Sequence, residues 1–93
     1  MTDIIKLKEY KTSDWLGEKS RWDLYIDDIE YPVCLWDHAV ADFKIAAPNL
    51  DIKHELLCAL KAEIHYNNIN ENIIPKILEQ FALKIDEQLE RLK

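Results

Sequence analysis

Trp22-Asp23-Leu24-Tyr25-Ile26-Asp27-Asp28-Ile29-Glu30-Tyr31-Pro32-Val33-Cys34-Leu35-Trp36 is the stretch on which the fold turns. Trp22, Leu24 and Ile26 alternate with polar or aromatic neighbours, and so do Ile29, Tyr31, Val33 and Leu35. Period-two patterning on both sides of Asp27-Asp28 predicts an antiparallel hairpin with a two-residue turn. That turn pairs Ile26 with Ile29, Leu24 with Tyr31 and Trp22 with Val33, all on one sheet face. Asp-Asp is a weaker tight turn than Asn-Gly, because positive φ is costly without glycine, so a slightly longer loop is the alternative. Pro32 removes one ladder donor and places its strand at an edge or with that side outward. The opposite face carries Asp23, Tyr25, Glu30, Cys34 and Trp36.

Upstream, Ile5 and Leu7 alternate with Lys6 and Lys8, and Tyr10 continues an extended segment. Ser13 to Lys19 holds the chain's single glycine, Gly17, and reads as a turn or loop. Downstream the period changes. Asp37 is placed to cap a short helix through Ala47, although the alternation Ala41-Phe43-Ile45 also fits a fourth strand. After Pro48 and Asn49, a second helix runs to about Tyr66 with Ile52, Leu56, Leu57, Leu60 and Ile64 on one stripe; Asn67 and Asn68 end it. Asn72 is placed to cap a last helix with Pro75 in its first turn. Its stripe is Ile74, Ile77, Leu78, Phe81, Ile85, Leu89 and Leu92, and Glu87 and Arg91 are spaced for an i,i+4 pair. The expected architecture is α+β: a small antiparallel β-meander of about three strands, then two or three helices packed on one face. With 93 residues the chain reads as a single domain over 1–93, β-rich over 1–36 and helical over 37–93.

Charge is unevenly distributed. The formal net charge is −6. Between Arg21 and Lys44 there is no lysine or arginine, yet Asp23, Asp27, Asp28, Glu30, Asp37 and Asp42 fall there, and they account for the whole imbalance. Trp22, Tyr25, Tyr31, Trp36 and Phe43 lie in the same segment. A pI near 4.9 argues against a general nucleic-acid binder and against docking on anionic membranes. The longest apolar run, Leu56 to Leu60, is far short of a membrane span, and Met1 to Lys6 lacks the pattern of a signal peptide. A cytoplasmic location is the expectation. There Cys34 and Cys58 are expected as free thiols buried as small hydrophobes.

Candidate chemistry is sparse. His54, Cys58 and His65 project to nearly one side of the second helix, but His65 lies about 10 Å further along the axis from Cys58, so one ion does not reach all three. A mid-helix Cys58 lacks the free N–H groups of a helix N-terminus that would activate a thiolate. Asp27-Asp28 reads as a solvated turn rather than a metal or acid–base pair. A single glycine disfavours phosphate-cradling loops. No enzyme activity, cofactor or metal is expected.

Anionic groups interleaved with large aromatics fit a docking surface for a basic protein. Asp23, Asp27, Asp28, Glu30, Asp37 and Asp42 are the expected charge-complementary set, with Tyr25 and Trp36 as anchors. The expectation is a small inhibitor of the immunity-protein or antitoxin kind, bound to a basic nuclease toxin. Two alternatives are a structural or adaptor domain that dimerises through its last helix, and a phage inhibitor of a nucleic-acid-binding defence complex.

Overall fold

A computed structural model describes residues 4–15 and 17–93. Three strands, β1 (Ile5–Asp14), β2 (Gly17–Ile26) and β3 (Ile29–Trp36), form an antiparallel meander in the order β1-β2-β3. Three helices follow: α1 (Asp37–Ala46), α2 (Ile52–Tyr66) and α3 (Ile74–Arg91), with a 3-10 turn over Glu71–Ile73 leading into the last. This is the expected α+β arrangement.

The central hairpin forms at Asp27-Asp28. Both residues adopt positive φ (52° and 67°), as a type I′ turn requires. The turn is tied to the start of β1: the Asp27 N–H donates to the Ile4 carbonyl, and the Ile4 N–H donates to the Asp27 carboxylate, each at 2.9 Å. Ile26 pairs with Ile29 and Leu24 with Tyr31, as expected, but Trp22 lies opposite Leu35 rather than Val33. A bulge on β3 causes the difference. Asp23 and Leu24 face Cys34 and Tyr31, so Pro32 and Val33 are extra. Proline has no N–H for the ladder, and the strand bulges there. Two inserted residues preserve the side-chain alternation, so Val33 and Leu35 both stay buried.

The segment Ser13 to Lys19, expected as a loop, is mostly strand. β1 and β2 pair without interruption from Ile5↔Ile26 to Asp14↔Gly17. These outer rungs are exposed on both faces, so no burial pattern marks them; backbone pairing and a 3.7 Å Lys19–Asp14 ion pair hold them. Gly17, with φ 116°, opens β2 in a conformation that other residues rarely adopt. Leu16, also in that segment, lies outside the described residues.

All three helices cover one face of the sheet. The core joins Trp22, Leu24, Ile26, Val33 and Leu35 to Val40 of α1, Leu60 and Ile64 of α2, and Ile74, Ile77, Phe81 and Ile85 of α3. Ile5 and Leu7 pack against it from β1. The region 38–47, which also fitted a strand, is helical through Ala46, and Asp37 is not its cap. Trp36 leaves β3 with extended backbone and occupies the cap position without a side-chain bond, so Asp37 is already in the first turn. Asp51 caps α2 by accepting from the His54 N–H at 3.1 Å. Asn67 closes α2 by donating from its side chain to the Glu63 carbonyl at 2.8 Å, and Asn68 takes φ 56°. Asn70, not Asn72, supplies the cap before α3: its side chain accepts from the Asn72 N–H at 3.0 Å. Glu87 pairs with Lys84, at 3.6 Å, one turn before it rather than with Arg91.

Among the described residues no helix is long and apolar enough to cross a membrane.

Candidate protein-binding surface

Among the described residues no layer covers the sheet face away from the helices. Its side chains cover one another. The Arg21 guanidinium lies between the rings of Tyr10 and Trp36, 5.4 and 5.2 Å from their centroids. It grips Asp23 with two nitrogens, Nε at 2.7 Å and Nη2 at 3.0 Å. Lys8 reaches over Tyr10 and Tyr25, and the two phenols share a 2.6 Å hydrogen bond. That bond, with smaller contributions from burial and from the Glu30 and Asp23 carboxylates, pushes the Tyr25 phenol up to about 12.

This arrangement separates the members of the expected binding set. Asp23 is only 4% exposed and is paired with Arg21. Tyr25 is half-buried, and its hydroxyl is taken by Tyr10. The segment's lack of lysine holds along the chain and not in space: β1 lays Lys6 beside Tyr25 and Lys8 beside Asp23. Asp27 and Asp28 are exposed at the hairpin tip, where Asp27 also anchors Ile4 and Asp28 lines a groove with Lys6, Lys8 and Lys84. Asp37 borders a separate groove between α1 and α3, beside His38, Gln88 and Arg91, and Asp42 is exposed on α1. The eight residues therefore do not form one patch.

Glu30 and Trp36 do come together, at the β3 edge. The bulge turns Pro32 into a ridge between two shallow grooves. One is lined by Glu30, Tyr31, Cys34 and Trp36, together with the Arg21–Asp23 pair. The other is lined by Ala62, Glu63, Tyr66 and Asn67 at the end of α2. Among the described residues Arg21 is the one cation on these walls, and Asp23 neutralises it. Tyr66 is a large aromatic and is 87% exposed. Burial raises the Glu63 carboxyl above the ordinary carboxylate range. Burial first, then the nearby Asp23 and Glu63 carboxylates, raises the Cys34 thiol.

Tyr31, Glu63 and Tyr66 were missed by the sequence reading. Tyr31 reads as an inward member of the hairpin, and Glu63 and Tyr66 as the unremarked end of an amphipathic helix. Pro32 was the available signal, because a proline in a strand marks an open edge.

The remaining candidates stay apart. Cys58 is exposed rather than buried, with its sulfur 3.6 Å from His54 Nε2, and Cys34 is half-buried; both are free thiols. Among the described residues no three histidine, cysteine or acidic side chains gather as a metal-binding group. The α3 stripe faces inward: Ile74, Ile77, Phe81 and Ile85 are buried in this chain's own core. Leu78 and Leu89 of the same stripe are only partly buried, and Leu92 is 40% exposed. No family model matches the sequence, and neither a curated protein nor a solved structure matches it.

Proposed function

We propose that this protein is a non-catalytic inhibitor that binds a basic protein along the β3 edge. In its concrete form it is an immunity protein or antitoxin, acting in the cytosol on a nuclease toxin. The observation that carries the reading is the pair of grooves around Pro32. Glu30 and Glu63 supply negative charge, Tyr31, Trp36 and Tyr66 supply anchors, and the only cation between them among the described residues is already paired. Exposed carboxylates speed the approach of a cationic partner, and desolvated aromatics hold it. A nuclease presents such a cationic surface to phosphates, so an acidic protein that covers it blocks activity with no chemistry of its own.

The test is capture from native lysate at low salt, followed by a nuclease assay on the salt eluate. The expected result is a basic protein whose nuclease activity falls when this protein is added back in equal amount. Glu30→Lys/Glu63→Lys should capture at least about tenfold less of it. Equal capture by that variant, or an eluate without nuclease activity, contradicts the reading.

A further inference from the structure

The two open edges of the sheet are built differently. β3 is broken by its bulge and by Pro32, whereas β1 keeps continuous register with β2 over Ile5–Asp14 and contains no proline. In an antiparallel pair, residues that bond to the neighbouring strand alternate with residues whose N–H and C=O point away. The Ile4 carbonyl accepts from the Asp27 N–H, so Ile4 and the even-numbered residues after it face β2. The backbone groups of Ile5 and Leu7 therefore face the open edge.

A groove of about 740 Å³ runs along that part of the edge. Ile5 and Leu7 are its apolar aliphatic lining, and both are half-buried. Lys6 and Lys8 come to it from the strand and Lys84 from α3, where it also lies 3.6 Å from Glu87; among the described residues Asp28 is the one acid on the groove. We propose that this edge takes an extended acidic peptide segment of another protein as a fourth strand. Main-chain bonds to Ile5 and Leu7 would hold the segment, and the three lysines would pair with its carboxylates. The site lies across the sheet from the β3 grooves and does not depend on the inhibitor reading.

Lysine on an edge strand commonly serves to repel a second edge. Here the same charges that exclude a second β1 edge favour an acidic strand, which is how selectivity by repulsion and attraction combine. Lys84 adds to them from outside the strand. Single-stranded nucleic acid is the poorer match. It requires open aromatic faces for base stacking. Tyr10, Tyr25 and Trp36 instead have Lys8 and Arg21 over their rings.

The experiment uses fluorescence anisotropy at low salt with three labelled probes: a peptide alternating glutamate with valine, one alternating lysine with valine, and an oligothymidylate. Amide hydrogen exchange is followed in parallel. The glutamate peptide should bind and the lysine peptide should not. Exchange at Ile5 and Leu7 should slow by at least about tenfold. Lys6→Glu/Lys84→Glu should weaken binding by at least about tenfold with unchanged circular dichroism, while Glu30→Lys/Glu63→Lys should leave it intact. Failure of the glutamate peptide to bind, binding without slowed exchange at Ile5 and Leu7, or tighter binding of the oligothymidylate would each overturn the proposal.

Discussion

Arg21 holds three neighbours at once: the rings of Tyr10 and Trp36 and the carboxylate of Asp23. Asp23 is buried against that guanidinium. Removing one member of a buried pair strands the other and costs about 3–5 kcal/mol; Arg21 is itself a third exposed, which places Arg21→Ala at about 3 kcal/mol. Urea unfolding should show that loss, and Asp23→Asn in the Arg21→Ala background should recover part of it. A loss below about 0.5 kcal/mol, the range of ordinary surface changes, would contradict the burial assigned to Asp23. Tyr25 gives a pH-dependent counterpart. Its phenol ionises at about 12 in the folded protein against an ordinary 10.0. The folded state holds that proton more tightly, so this stabilisation is complete below pH 10.0 and is lost as pH rises toward about 12. Tyr10→Phe removes the hydrogen bond, which is the largest cause. It should bring phenolate absorbance up at lower pH and flatten the alkaline fall in stability. Identical titration of the two proteins would show that the Tyr10–Tyr25 bond is not the cause.

At the scale of elements, legibility followed the side-chain pattern. The β2–β3 hairpin was readable because each strand buries alternate residues on one face, so only one register keeps Trp22, Leu24 and Ile26 together. The stripes of α2 and α3 were readable for the same reason at helical period. The outer half of the β1–β2 hairpin was not, because Thr12, Ser13, Glu18 and Lys19 bury little and pairing there is a matter of backbone. Nor was the bulge: a proline announces an interrupted ladder but not how many residues are inserted. Caps were off by a residue or two because Asn70 and Asn72, like Trp36 and Asp37, are close in sequence and only backbone geometry chooses between them. The turn supports a direct prediction. Asp28 holds φ 67°, where a residue with a Cβ is strained. Asp28→Gly should stabilise the protein by about 0.5–1 kcal/mol in urea unfolding, with the hairpin retained. A loss of stability would mean that the Asp28 side chain contributes more than its backbone costs.

Across the whole molecule, charge is segregated differently from its order along the chain. The acidic run from Asp23 to Asp42 is dispersed over the outer sheet face, the hairpin tip, the β3 edge and α1. Folding brings Lys6 and Lys8 against part of it. What remains is a polarised sheet: carboxylates and aromatics flank the bulged β3 edge, and lysines flank the regular β1 edge. Of the expected docking residues, Glu30 and Trp36 belong to the β3 surface, and Glu63, Tyr31 and Tyr66 join them through contacts between elements distant in sequence. The claim that the β3 edge receives a basic partner is tested most directly by association kinetics. The captured partner is mixed with the unaltered protein and with Glu30→Lys/Glu63→Lys over a range of ionic strength. The account predicts that the unaltered protein associates at a rate that falls steeply with salt, and that the variant associates at least about tenfold more slowly with a flatter dependence. Equal rates and equal salt slopes would contradict it.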